Sequence, residues 1–171
     1  AREIGELAAR VPDSGGVWVV PALQGLGTPF AMSGARGVIG GLSRGSGAPQ
    51  IARAFLEGIA HRVCDVAEAV WAGAGRPASL RADGGASTND LLLQLQADFL
   101  GLPVERGFDP DGSAFGVARL AGRGLRIDEG VWGGSAWRAQ RRFEPTRSED
   151  ERQAARSVWL RRVTLASHAE G

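Results

Sequence analysis

The chain has 171 residues, of which 43% are hydrophobic and 23% charged, enough for one domain with a proper core and too few for two. Its 20 basic and 19 acidic residues nearly cancel and form no long run of either sign, which argues against nucleic acid or an anionic membrane as a partner. Every basic residue is arginine, so a P-loop and Schiff-base chemistry, which both need lysine, are excluded.

The first half of the chain begins with a charged stretch of helical pattern, residues 1–10, which does not resemble a signal peptide. No run approaches the length of about 18 apolar residues that a membrane span needs, so we expect a cytoplasmic protein. Residues 17–23 form a β-branched apolar run and predict a buried strand. A Gly- and Pro-rich surface loop follows at 24–37, and a second short strand is predicted at 38–42.

A long helix gives the strongest local signal. From Pro49 to about Ala72, apolar residues recur at steps of three and four, which predicts one core-facing side on a helix of about six turns. The members of this predicted core face are Ile51, Phe55, Ile59, Val63, Val66 and Val70. Arg53 and Glu57 lie four residues apart and could pair on the solvated side.

The inventory of metal-ligating and nucleophilic residues is small. A single cysteine, Cys64, and two histidines, His61 and His168, cannot build a zinc cluster or a disulfide framework. Cys64 lies within the long helix and is predicted to be a buried small hydrophobe. His61 has Glu57 and Asp65 four residues to either side, so we expect it on a solvated helix face rather than in a catalytic role.

Strands and helices alternate in the second half. Strands are predicted at 79–83 and 103–107, with a helix from about Asn89 to Leu100 between them. Another helix is predicted to begin with the small residues Ser113, Ala114, Gly116 and Ala118. Residues 130–137 are predicted to form a loop, and a helix capped by Ser148 is predicted at 148–163. This order predicts an α/β fold with a largely parallel sheet covered by helices, whose ligands gather at the carboxyl ends of strands.

Gly84 and Gly85 form the turn between the strand at 79–83 and the next helix. The turn either needs glycine for steric reasons or lets a ligand approach the main chain, and the N–H groups from Ala86 onward favour phosphate. Asn89 could read a purine or ribose edge, or could only cap the helix. Asp83 could hold a metal-bound water, or could only form the turn.

Several segments, in order and spacing, resemble the carboxy-terminal part of the FGGY carbohydrate kinases, most of all their glycerol kinase branch. They are VVPALQGLGTPF, ARGVIGGLSRG, IARAFLEGIAHRVCDV, LRADGGASTNDLLLQLQADFLGLPVE and SAFGVARLAG. The resemblance runs from about residue 16 to 122, and the tail is similar in character. It implies a nucleotide-side lobe at 1–145, with a terminal helix and tail at 146–171 packed on the same domain.

The resemblance implies a ribonuclease H-like or actin-like ATPase lobe, incomplete at its amino-terminal edge. Two such lobes close on ATP or ADP, Mg²⁺ and the sugar or polyol in this family. The implied nucleotide-binding residues are Gly84, Gly85 and Asn89. The implied pocket wall is formed by Ala86, Ser113 and Gly116.

The same resemblance leaves this chain without a catalytic residue or a metal ligand, because the family's general base belongs to a segment that would precede residue 1. Phe30 is followed by Ala31 and Met32, where the family usually has Trp-Asp. We therefore expect the ATP-binding lobe of a polyol kinase, most similar to those acting on glycerol, that is inactive alone and takes a polyol or sugar substrate only with an amino-terminal lobe. It could pair with another kinase lobe or with itself.

Two alternatives remain at this point. One is a non-catalytic remnant that binds nucleotide or a partner chain without chemistry, which the altered Ala31 and Met32 favour. The other is half of an actin-like ATPase, which the GLGTP loop disfavours because it resembles the kinases.

Overall fold

The computed structural model describes residues 2–108, 112–127 and 138–167. Its helices are α1 (Arg2–Ala8), α2 (Ala48–Ala74), α3 (Asp90–Leu100), α4 (Gly112–Gly124) and α5 (Glu149–Ser167). Its strands are β1 (Trp18–Val20), β2 (Val38–Gly40), β3 (Leu80–Ala82), β4 (Val104–Gly107) and β5 (Ala139–Phe143). A 3-10 turn, Gly85–Thr88, lies between β3 and α3. His168 and the loop predicted at 130–137 lie outside the described residues.

The described strands form two sheets. β1 and β2 pair antiparallel, while β4 lies between a parallel neighbour, β3, and an antiparallel one, β5. The α/β class is thus confirmed. β5 was not predicted, because only Phe143 among its five residues is buried and the others are exposed, so the segment lacks an apolar run.

The predicted core face of the long helix α2 is correct in part: Ile51, Phe55, Ile59 and Val63 are half-buried and pack against core clusters. Val66 and Val70 are 42% and 56% exposed, so their assignment to the core was wrong. Most of the buried residues of the helix are small, namely Ala52, Ala54, Gly58, Ala60, Cys64 and Ala67, and Leu56, His61 and Asp65 are buried with them. A Cβ at Gly58 would overlap the main-chain oxygen of Val19 in β1. Small residues let neighbouring elements approach closely, and this close packing outweighs the apolar periodicity of the larger residues.

Helix α3 supplies the centre of the largest core cluster. Leu92, Leu95 and Phe99 form its predicted apolar stripe and all three are buried, as expected. They pack with α2, β4 and Phe143 of β5. This core fixes the end of β3 relative to the start of α3, where the two glycines lie.

The terminal helix α5 covers a second core cluster, to which it contributes Trp159, Val163 and Ala166. Ser148 caps it as predicted, since the amide of Glu151 donates to the Ser148 hydroxyl at 3.3 Å. Asp65 of α2 accepts from Arg156 Nη2 at 2.7 Å and from Trp159 Nε1 at 3.0 Å, which ties the two helices together. Among the described helices, none has the length and hydrophobicity to cross a bilayer.

Candidate functional site

A turn of two glycines joins β3 to α3. Gly84 has φ 83° and ψ 172°, a conformation essentially restricted to glycine. Gly85 opens the 3-10 turn without a positive φ, and a Cβ there would meet no atom within 4 Å. The conformation of the chain therefore requires glycine at position 84 but not at position 85.

The outer side of residues 84–86, hereafter the glycine turn, is open. Gly85 and Ala86 are exposed and Gly84 is half-buried. As the first residues of a 3-10 turn, Gly85 and Ala86 have N–H groups without an acceptor inside that turn. The glycine turn thus presents bare main chain and amide donors, the groups that bind anionic ligands at the start of helices.

Ser87 stabilises the glycine turn from its buried side through two hydrogen bonds to Gly84. Its side chain is buried, its hydroxyl donates to the Gly84 oxygen at 2.7 Å, and its amide donates to the same oxygen at 3.0 Å. In the same way, the Thr88 hydroxyl donates to the main-chain oxygen of Gly85 at 2.8 Å. Sequence reasoning missed Ser87, although a hydroxyl residue three positions after a turn glycine is a known signal for this local hydrogen bond.

Asn89 acts as the N-cap of α3 in this structure. Its Oδ1 accepts from the amide of Leu92 at 3.1 Å, and its side chain lies against Gly5 of α1, where a Cβ would come within 2.8 Å of Nδ2. Only 6% of Asn89 is exposed. The capping role is observed, and the nucleotide contact of Asn89 stays a prediction.

The opening of α4 lies beside the end of β3. The Asp83 carboxylate is so close to Gly112 that a Cβ on that glycine would overlap it. Ser113 is exposed, and a Cβ at Gly116 would meet nothing within 4 Å, so the first turns of α4 after this contact present small groups. Three or more His, Cys, Asp or Glu side chains are nowhere gathered into a possible metal site within the described ranges.

His61 and Cys64 are buried in α2, away from solvent. The prediction that His61 is solvated was wrong: its ring stacks between Phe99 and Trp159, with centroids at 3.9 and 5.0 Å. Burial, helped by the charge of Arg156, lowers the pKa of His61 from 6.5 to about 3. Cys64 is buried as predicted, and burial raises its pKa to about 12, so it is an inert thiol at neutral pH.

The proline loop at 24–37 is ordered by its own contacts. The main-chain groups of Leu26 and Met32 bond each other at 2.7 and 2.8 Å. Arg62 of α2 donates to the Thr28 oxygen at 3.0 Å and lies over the Phe30 ring at 5.3 Å from its centroid. Phe30 and Met32 are half-buried against the cluster that contains Trp159, so in this structure both are packing residues.

An apolar groove runs along the exposed side of α2. It has a volume of about 490 Å³ and includes the valines that the sequence placed in the core. Its lining residues are Ile59, Arg62, Val63, Val66, Ala67, Val70, Trp71 and Leu80. Because Leu80 belongs to β3, the groove extends from the helix to the strand that carries the glycine turn.

Arg53 and Glu57 pair along α2 as predicted, at 2.9 Å, although both side chains are mostly buried rather than solvated.

Comparison with protein families finds a match over residues 3–125 to the model described as "FGGY family of carbohydrate kinases, C-terminal domain". Among curated proteins, the glycerol kinase of Aromatoleum aromaticum is 51% identical over 97% of this chain and 34% of its own length. The glycerol kinase of Dechloromonas aromatica is 47% identical over 98% of this chain and 34% of its own. The chain therefore spans about a third of the length of these relatives.

Solved structures agree on the fold. A crystal structure of Plasmodium falciparum glycerol kinase with ADP matches with a TM-score of 0.81 and 25% identity, over 96% of this chain and 33% of that one. A ligand-bound xylulose kinase from Lactobacillus acidophilus matches with a TM-score of 0.79 and 23% identity, over 99% and 35% of the two chains, which shows the shared fold alone.

Proposed function

Because the chain belongs to the FGGY family of carbohydrate kinases, we propose that it forms the nucleotide-binding side of an enzyme that transfers the γ-phosphoryl group of ATP to a polyol hydroxyl, with glycerol as the acceptor. Glycerol is favoured over other acceptors because both relatives described above are glycerol kinases.

The observation that carries the proposal is that the open space at Gly85 lies in the turn from β3 to α3, where the N–H groups of Gly85 and Ala86 are exposed. A glycine that its conformation does not require costs stability relative to alanine, by roughly 0.5–1 kcal/mol within regular structure. A Cβ at this exposed position would touch no atom outside its own turn, so packing against other elements does not explain its absence. A ligand lying against the main chain does explain it.

We assign the glycine turn to the nucleotide. The N–H groups of Gly85 and Ala86 would donate to it, and the small residues Ser113 and Gly116 at the start of α4 would form the neighbouring wall. Asn89 would hold α3 in place below the turn through its cap, and its amide would contact the nucleotide only if it turned outward.

Phosphoryl transfer also requires a base for the acceptor hydroxyl and Mg²⁺ to offset the phosphate charge. Within the described residues no three His, Cys, Asp or Glu side chains gather to hold the ion, and in this proposal ATP itself and the amino-terminal part of the enzyme provide its ligands. Since such catalysis depends on positioning across a closed cleft, we expect no turnover from these residues alone.

We propose that the apolar groove on α2 is the surface that binds the amino-terminal part of the enzyme. Relatives carry about two-thirds of their length outside the matched region, which belongs to a C-terminal domain. β3 pairs only with β4 among the described strands, so its other edge is free to accept a further strand. A strand added there would cover Leu80 and the valines of α2 and so remove apolar surface from water.

The nucleotide site is tested by titrating the ¹⁵N-labelled chain with Mg-ADP and following its amide signals, a method that detects millimolar binding. The signals of Gly84, Gly85 and Ala86 should move first, and an equal concentration of inorganic phosphate should move them less. Shifts confined to other regions of the chain would refute the assignment.

The activity is tested by adding the part of the Aromatoleum aromaticum glycerol kinase that precedes the matched region. The mixture should release ADP with glycerol faster than with xylulose, while neither part alone does so. A stable mixed complex that binds ADP but shows no turnover would instead favour a non-catalytic remnant, the alternative that Ala31 and Met32 suggest.

A further inference from the structure

Arg106 of β4 joins three elements beside the glycine turn. The sheet register pairs it with Ala82, the last residue of β3. Its Nη1 donates to the main-chain oxygen of Ser87 at 3.2 Å and to Asp90 Oδ1 at 2.6 Å. Its Nε donates to Gln140 Oε1 of β5 at 2.8 Å, which fixes the plane of the guanidinium.

Ser87 connects Arg106 to the glycine turn through hydrogen bonds. While its oxygen accepts from Arg106, its own hydroxyl and amide donate to the oxygen of Gly84, at 2.7 and 3.0 Å. Two consecutive links therefore connect the sheet to the exposed main chain: Arg106 to Ser87, and Ser87 to Gly84.

The surroundings strengthen the first link. The side chain of Arg106 is only 16% exposed and its bond to Ser87 is partly buried, whereas its partner Asp90 is 49% exposed. Arg141 pairs with the other carboxylate oxygen of Asp90, and both guanidinium groups lie over the Phe143 ring, at 5.8 Å from its centroid for Arg106 and 4.8 Å for Arg141. Asp90 is also well placed in the first turn of α3, where a negative charge is favourable.

We infer that Arg106 is a positioning residue for nucleotide binding: through Ser87 it holds the glycine turn in the conformation in which its main chain meets the ligand. This inference rests on the proposed nucleotide site. Arg106 acts through the turn and does not itself contact the nucleotide.

The test compares Arg106→Met with Arg142→Met. Arg142 is a matched control, because it also forms an ion pair from β5 to β4, with Glu105, and a second one with Glu144, while neither pair involves Ser87 or Asp90. In Arg106→Met, hydrogen exchange at the amides of Ser87 and Asn89 should accelerate at least tenfold, and ADP should bind about tenfold more weakly. Arg142→Met should change neither quantity.

A double-mutant cycle separates positioning from general stabilisation. Ser87→Ala removes the hydroxyl bond to Gly84 and should weaken ADP binding in the same way. Ser87→Ala leaves the main-chain links in place, so the two substitutions should act on the same turn and couple: the double variant should lose less ADP affinity than the product of the two single losses. Independent effects that multiply would overturn the inference, as would a lower melting temperature with unchanged ADP affinity.

Arg106→Lys covers the case in which Arg106→Met does not fold. Lysine keeps the charge beside Asp90 but cannot make the planar fork to Gln140 and Ser87, so this variant should fold and still lose ADP affinity. If the wild-type chain binds ADP and Arg106→Lys binds it equally well, the inference fails and the proposed function stands. If the wild-type chain shows no binding, both fail.

Discussion

Replacement of Gly85 by valine separates the two explanations for the paired glycines. The substitution adds three carbon atoms to an exposed position where the first of them would meet no atom within 4 Å apart from those of its own turn. If the glycine serves folding, the variant should be destabilised. If it serves a ligand, the variant should fold normally and lose binding.

The structure sets the expected size of the folding effect. At Gly85, surface substitutions without clashes change the free energy of unfolding by about 0.5 kcal/mol in either direction. At Gly84 the backbone lies in a region essentially restricted to glycine, so Gly84→Ala should cost about 1–3 kcal/mol. Urea unfolding should therefore show a nearly unchanged midpoint for Gly85→Val and a clearly lower one for Gly84→Ala.

The effect on binding should be much larger than the effect on folding at Gly85. A valine side chain would keep the ligand from the N–H groups of Gly85 and Ala86, and a hydrogen bond to a charged group contributes about 1.5–3 kcal/mol. ADP should therefore bind roughly ten- to hundredfold more weakly, as measured by amide titration. Gly85→Ala, with one added carbon, should lose less.

The reasoning is refuted if Gly85→Val keeps the ADP affinity of the wild-type chain while its circular dichroism and unfolding midpoint are unchanged. In that case the bare main chain at this position would have no role in binding, and the open space at Gly85 would need another explanation.

Three further outcomes are expected. Asn89→Ala removes the cap on Leu92 and should lower the free energy of unfolding by about 1 kcal/mol in urea titrations, and an unchanged midpoint would refute the capping role. His61 has a pKa lowered from 6.5 to about 3, so the unfolded chain takes up the proton first as the pH falls. Stability should then decrease between pH 6.5 and 3 by up to about 1.4 kcal/mol per pH unit, and the exchange His61→Phe should flatten this slope, while an unchanged slope would contradict the burial argument. Val66→Asp in the apolar groove should weaken assembly with the amino-terminal part of the Aromatoleum aromaticum relative by tenfold or more. Leu165→Asp, at an exposed apolar site on α5, should leave assembly unchanged. Equal effects of the two substitutions would argue against the groove as the binding surface.

Local features were predictable because neighbouring residues create them. The stripe of Leu92, Leu95 and Phe99 predicted α3 and its buried side, and the terminal helix followed from Ser148 and the acidic residues after it. The position of the glycine turn between a strand and a helix was likewise predicted from the sequence. The strand β5 was not, since an exposed edge strand has no alternating apolar pattern.

By itself, the sequence determined the order of strands and helices other than β5, the place of the glycine turn and the resemblance to the kinase family, because each rests on local patterns of residues. Only the tertiary structure decided which side of α2 is buried, that His61 lies between two aromatic rings, and that Arg106 reaches Ser87. It also distinguished Gly84, which its backbone conformation requires, from Gly85, which has open space around it. These properties depend on which elements meet in space, and helical periodicity cannot tell a side that packs against the domain from an equally apolar side left exposed.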